Sequence, residues 1–159
     1  MENLFLLTGS NIGNSAQHLQ QAKQFINERI GITVKSSSVY KTEPWGKKDQ
    51  QDFLNQVLLV QTKLLAEDAL IQLLQIEKEM GRNRLQKWEP RIIDIDILFY
   101  GDRIINTEKL IVPHPLLHER RFTLLPLAEI AAGYMHPVLH KTIEELLQSC
   151  NDTSAVTQC

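Results

Sequence analysis

The sequence is poor in cysteine: two in 159 residues, Cys150 and Cys159, both near the C-terminal end. That excludes a disulfide framework and any CxxC metal motif, and it makes a reducing cytoplasm the default compartment. No apolar run approaches the ~20 residues of a membrane helix. The opening Met1–Asn11 has neither a basic leader nor a small-residue cleavage pattern, so no membrane partner is expected. A net charge of −2 argues against a nucleic-acid-coating protein. There is no GxxxxGK[ST] phosphate loop, no GxSxG elbow and no kinase HRD or DFG set. His114/His118 and His136/His140 have zinc-like spacing, but Pro115 and Pro137 interrupt both pairs and no third ligand is evident, so no zinc site is expected. Gly9 to Gly13 is glycine-bounded but lacks a lysine, and reads as a tight βα turn as readily as a phosphate contact.

What is present is an ordinary globular composition, 43% hydrophobic and 23% charged, in a chain long enough for one core. Leu4 to Thr8 reads as a buried strand. Asn14 or Ser15 can cap a helix with the apolar stripe Leu19, Ala22, Phe25, Ile26 and Ile30, which Gly31 is placed to stop. Ile32 to Tyr40 and Phe53 to Thr62 read as strands around a loop over Lys41 to Asp52. Ala66 to Met80 reads as a helix with Leu70, Leu73, Leu74 and Glu77 on adjacent turns. Ile92 to Tyr100 is a fourth strand, and Gly101-Asp102 turns into a short hairpin partner around Arg103 to Ile105. Beyond Pro113 the pattern is mostly helical, with a capping box at Thr142 to Glu145. The order β-α-β-β-α-β predicts an α+β, ferredoxin-like antiparallel sheet with helices, followed by a C-terminal helical appendix. Residues 1–149 are expected to form a single domain and residues 150–159 a flexible tail.

Chemistry concentrates in Gly81 to Tyr100. Three of the seven arginines (Arg82, Arg84 and Arg91) fall in one loop, which runs into an apolar strand carrying Asp94 and Asp96. Alternation puts Asp94, Asp96 and Leu98 on one strand face and Ile93, Ile95, Ile97 and Phe99 on the other. Two like charges about 7 Å apart on one face repel, and Asp is a poor strand former. Carboxylate oxygens suit Mg²⁺ shared with phosphates, and arginine forks suit the phosphates themselves. The segment therefore reads as a site for a metal–polyphosphate substrate; the solvated face of an edge strand is the plainer alternative. Aromatics make up only 6% of the chain, which makes their placement informative. Trp45 and Trp88 sit in loops beside Pro44 and Pro90, where tryptophans more often cover ligands than fill cores.

These segments together resemble the 6-hydroxymethyl-7,8-dihydropterin pyrophosphokinase family of folate biosynthesis. The resemblance is carried by Gly9-Ser-Asn11, Tyr40-Lys-Thr-Glu-Pro-Trp-Gly46, Asp52-Phe-Leu-Asn55, and Glu77 followed by Gly81-Arg82-x-Arg84. It continues through Trp88-Glu-Pro-Arg-Ile-Ile-Asp-Ile-Asp-Ile-Leu98, Pro113-His-Pro-Leu-Leu-His-Glu-Arg-Arg-Phe122 and Pro126-Leu-Ala-Glu-Ile130. The resemblance implies Mg²⁺-dependent transfer of pyrophosphate from ATP to the hydroxymethyl group of a reduced pterin, releasing AMP. It implies that Asp94 and Asp96 hold two Mg²⁺ ions and that Arg82 and Arg91 act on the phosphates. It assigns Glu77, Arg84, Trp88, His114 and Arg120 to the nucleotide. The pterin would stack between Phe53 and Phe122 and bond to Asn55 and to backbone groups near Thr42, Pro44 and Trp45. The partners expected are ATP and the reduced pterin, with no nucleic acid, and the chain is expected to act as a monomer. Two other readings stay open: a non-catalytic ferredoxin-like module, and a different metal-dependent phosphotransferase or nuclease built on Asp94 and Asp96.

Overall fold

A computed structural model describes residues 1–43, 51–81 and 92–159. Strand β1 (Glu2–Ser10) leads to helix α1 (Ser15–Arg29), whose first turn is capped by Asn14 accepting from the Gln17 amide. Strands β2 (Gly31–Ser36), β3 (Tyr40–Thr42) and β4 (Phe53–Thr62) follow, then helix α2 (Ala66–Glu79) and strand β5 (Asp94–Tyr100). A two-stranded piece, β6 (Ile105–Asn106) with β7 (Ile111–Val112), precedes a 3₁₀ turn at Leu117–Glu119. The chain then forms helices α3 (Arg121–Ala131) and α4 (Ile143–Gln148), the latter with the expected capping box, and strand β8 (Val156–Gln158).

The strand order is β5-β1-β4-β3-β8, with β2 also paired to β4, and every pairing is antiparallel. Alternation along the strands gives the sheet two apolar faces. Leu4, Leu6, Leu58, Val60, Ile95 and Ile97 pack under α1 and α2. Phe5, Leu7, Val57 and Phe99 pack under α3 and α4. The helical appendix is therefore the second cover of the sheet, and no helix among the described residues is long and apolar enough to cross a membrane.

Several expectations are corrected. The strand read over residues 32–40 is two strands on the same edge of β4. The break falls at Ser37 and Ser38; the Ser37 hydroxyl competes for backbone partners, accepting from the Val57 amide at 2.9 Å in place of a ladder carbonyl, while the Ser38 hydroxyl donates to the Glu129 carboxylate. Gly31 is the first residue of β2 rather than a left-handed helix cap. It is needed because a Cβ there would stand 2.1 Å from the Gln61 carbonyl oxygen. The buried stripe of α2 is Ala69, Leu73, Ile76 and Glu77, while Leu74 is exposed. The short strand after Gly101 pairs with β7, not with β5. The segment 150–159 does not fray: β8 adds to β3 with Thr42 opposite Val156 and Tyr40 opposite Gln158.

One irregularity bears directly on the site. The β1–β5 register runs Leu7 to Asp96 and Leu6 to Ile97, then skips to Phe5 and Phe99. Leu98 is the extra residue of a β-bulge. Phe99 therefore turns to the α3 side, beside Leu98 and against the rings of Phe5 and Tyr134, and not to the side of Ile95 and Ile97.

Candidate active site

At the end of the sheet where β1, β4 and β5 meet, the α3-side face opens into a cavity of about 920 Å³. The sheet contributes Leu7 and Gly9 from β1, Asp94 and Asp96 from β5, Phe53 and Asn55 from β4, and Thr42 from β3. The opposite wall is built by the 3₁₀ turn and the start of α3, with His118, Glu119, Arg120 and Phe122, and by residues 149–152. Register explains the convergence. Gly9 pairs with both Asn55 and Asp94, and Thr42 pairs with Phe53, and directly paired residues point to the same face.

Asn55 is buried, and its Nδ2 donates to the Thr8 carbonyl at 3.2 Å. Gly9 makes room for that amide, since a Cβ at Gly9 would lie 2.6 Å from Nδ2. One edge of the amide is thereby fixed at the cavity wall, and its Oδ1 remains an acceptor. Thr42 is also buried, and its Oγ1 makes no hydrogen bond among the described residues. Thr42 also lines the cavity. Phe53 and Phe122 are both half-buried, one on the sheet and one on the helix. The Arg120 guanidinium lies 5.6 Å from the centre of the Phe122 ring, a cation–π spacing.

Two further expected site residues, His114 and Glu77, are not among the residues that line this cavity. The His114 amide donates to the Leu98 carbonyl at 3.0 Å, using the oxygen of the bulged residue. Its Nδ1 accepts from the Leu116 amide at 3.1 Å, which leaves the ring proton on Nε2. Burial, and then the nearby Arg120 charge, push His114 down to about 4 against a smaller opposing pull from Asp94, so the ring is neutral at physiological pH. Glu77 is buried on α2, and its Oε2 accepts the Ile95 amide at 2.7 Å. That bond holds the β5 backbone between Asp94 and Asp96. Glu77 thus also supports the strand that carries the aspartates.

The described residues contain no cluster of three or more His, Cys, Asp or Glu side chains arranged for a metal. Two carboxylates on one open face are nevertheless what Mg²⁺ takes from a protein when substrate phosphates and water complete its octahedron. The donor set fits that ion and not a fully protein-ligated one. Pro44, Trp45, Arg82, Arg84, Trp88 and Arg91 lie outside the described residues. Residues that sequence reasoning missed include Gly9, legible only through its opposition to Asn55, and the wall from Ser149 to Asp152. An Asp-x-Ser turn was legible in that wall, but not where it docks.

Comparison with known proteins bears on the family. Residues 5–132 match the family described as 7,8-dihydro-6-hydroxymethylpterin-pyrophosphokinase (HPPK). The chain is 41% identical over 145 residues to a 2-amino-4-hydroxy-6-hydroxymethyldihydropteridine pyrophosphokinase of Aquifex aeolicus, covering 91% of this chain and 90% of that one. It is 45% identical over 127 residues to the protein of the same name from Bacillus subtilis, covering 79% and 76% respectively. A crystal structure of the Plasmodium falciparum HPPK-DHPS superposes with a TM-score of 0.78 at 19% identity, covering 92% of this chain and 43% of that one. At that identity the likeness speaks for the fold.

Proposed function

The chain belongs to the 7,8-dihydro-6-hydroxymethylpterin-pyrophosphokinase family, and from that premise we propose that it transfers pyrophosphate from ATP to the hydroxymethyl group of 6-hydroxymethyl-7,8-dihydropterin, releasing AMP. It is a pyrophosphokinase of folate biosynthesis. In the proposed reaction the hydroxymethyl oxygen attacks the β-phosphorus of ATP. The bond from that phosphorus to the oxygen bridging to the α-phosphate breaks, AMP leaves with the bond electrons, and the hydroxyl proton is lost. Such a transfer depends mainly on positioning and on charge stabilisation rather than on a strong base.

The observation that carries this reading is the meeting of two chemistries in one cavity: Asp94 and Asp96 at one side, Asn55, Phe53, Phe122 and Thr42 at the other. A flat heterocycle with polar edges fits an amide fork, a buried hydroxyl and two aromatic rings. Asp94 and Asp96 would hold Mg²⁺, two ions in the full complex, which when bound neutralises phosphate charge and aligns the phosphate chain. Neutral His114, with its proton on Nε2, offers a hydrogen-bond donor to a phosphate oxygen. Arg120 binds the nucleotide, Arg82 and Arg91 meet the charge developing on the transferred group, and Arg84 and Trp88 cover it. Pro44 and Trp45 complete the pterin edge.

AMP release from Mg-ATP, dependent on the reduced pterin, tests the reaction directly. Asp94→Asn and Asp96→Asn each keep side-chain shape and should lower turnover by orders of magnitude while leaving the fold intact. Near-normal turnover of either variant at ordinary Mg²⁺ would remove these residues from the metal site.

A further inference from the structure

The C-terminal segment crosses between two walls of the site. Helix α3 begins at Arg121, and the residue before it, Arg120, is extended and offers no side-chain cap. The first amide of the helix needs an acceptor from elsewhere. Asp152 supplies it: Oδ2 accepts from the Arg121 amide at 2.9 Å, across 31 residues of sequence. Its other oxygen, Oδ1, accepts from the Ser154 amide at 2.9 Å and the Ser154 hydroxyl at 2.5 Å. Immediately beyond this turn the chain enters β8 and pairs with β3, the strand that carries Thr42. Gln158 Nε2 donates to the Ser38 hydroxyl and the Cys159 amide donates to the Val39 carbonyl, each at 2.9 Å, closing the strap.

We infer that Asp152 is a positioning residue: it fixes the first turn of α3 against β3 and so sets where Arg120 and Phe122 stand relative to Thr42 and Phe53. Three observations support this beyond simple packing. Asp152 itself lines the cavity. Both of its oxygens are committed, one to the helix and one to its own turn. The amide it holds lies between the two α3-side site residues, Arg120 and Phe122. A carboxylate at a helix N-terminus also interacts favourably with the helix dipole. Burial alone would raise the pKa of Asp152, but the Ser154 and Arg121 hydrogen bonds outweigh it and hold the pKa below the usual carboxylate range.

The inference rests on the reading that Phe122 contacts the pterin, and the experiment separates the two. Steady-state KM and kcat with the reduced pterin and Mg-ATP are measured beside thermal stability for five variants: Asp152→Ala, Asp152→Asn, Ser154→Ala, Phe122→Ala and Thr62→Val. Asp152→Ala should raise the pterin KM by about tenfold, and the ATP KM with it through Arg120, while kcat stays within about threefold, because Asp94 and Asp96 are not moved. Asp152→Asn retains an acceptor oxygen and should restore most of the affinity. Thr62→Val removes a hydroxyl bonded to the Ile30 carbonyl and the Leu64 amide at the far end of the sheet. It should lower stability without moving the pterin KM. Ser154→Ala frees Oδ1 of one partner and should give a smaller shift in the same direction; it carries the test if Asp152→Ala does not fold. A raised KM in Phe122→Ala with none in Asp152→Ala or Ser154→Ala overturns the positioning role. An unchanged pterin KM in Phe122→Ala overturns the site reading, and the inference with it. Equal KM shifts in Asp152→Ala and Thr62→Val would mean general destabilisation and also overturn it.

Discussion

Gly9→Ala puts the geometry of the site under the most direct strain. The new methyl carbon would stand 2.6 Å from Asn55 Nδ2, whereas ordinary contact begins at 3.4 Å, so the overlap is about 0.8 Å. The other near neighbours, Asn55 Cγ and the Leu54 carbonyl oxygen, are both at 3.7 Å and undisturbed. Relief must therefore come from the end of the Asn55 side chain, which swings away and loses its bond to the Thr8 carbonyl. Leaving a buried amide unsatisfied costs about 1–3 kcal/mol, and replacing glycine at an ordinary φ returns about 0.4–1 kcal/mol from the unfolded state. The net loss expected is about 1–2 kcal/mol, readable by urea unfolding. Function should suffer more than stability, because a shift of order 1 Å in a positioning group can cost about 10²-fold; pterin affinity should fall by at least about tenfold. Asn55→Ala removes the colliding atom, so adding Gly9→Ala to that variant should cost no further stability. Unchanged pterin binding in Gly9→Ala would refute the reasoning, and so would equal stability costs of Gly9→Ala in the two backgrounds.

His114 has its folded-state pKa pushed down to about 4, by burial and then by Arg120. The stability gained by keeping it neutral should be complete above pH ~6.5 and be lost as pH falls towards 4. An NMR titration of the metal-free protein checks this, and a midpoint near 6.5 would contradict it. Gly31→Ala would drive a methyl to 2.1 Å from the Gln61 carbonyl oxygen and 2.9 Å from its carbon. These are backbone atoms, so the β2–β4 ladder must open. Stability should fall by about 1–3 kcal/mol with kcat unchanged, because this end of the sheet is remote from the cavity; an unaltered melting temperature would count against it.

The alternation of Ile93, Ile95 and Ile97 and the caps at Asn14 and Thr142 were legible because they depend on local periodicity and local hydrogen bonds. The Asp94/Asp96 face was legible for the same reason. What escaped depends on partners far away in sequence. Gly31 looked like a helix stop, but its cause is the backbone of β4 passing alongside. Residues 150–159 looked polar and unanchored, but the acceptor that α3 lacks and the edge that β3 offers both lie elsewhere in the chain. Glu77 carried the right spacing for a site residue, yet only the position of the Ile95 amide shows that it supports the aspartates from behind.

The extra residue in β5 divides that strand into two halves with separate duties. Up to Ile97 the strand obeys the site: its even positions present acid to the cavity while its odd positions are sealed beneath α1 and α2. After Leu98 the parity is reset and Phe99 is free to fill the core under α3. The carbonyl of Leu98 is released from the β1 ladder to anchor His114. Substitutions on either side of Leu98 are thereby insulated from each other, since neither half dictates which way the other must face. In a shortened chain lacking Leu98 the ladder would pair without interruption and Phe99 would keep its place opposite Phe5, but the Leu98 side chain would be lost from the core under α3 and His114 would lose its anchor. One extra residue, rather than any side chain's chemistry, is what lets Leu98 and Phe99 both join the core under α3, on the face that Asp94 and Asp96 share.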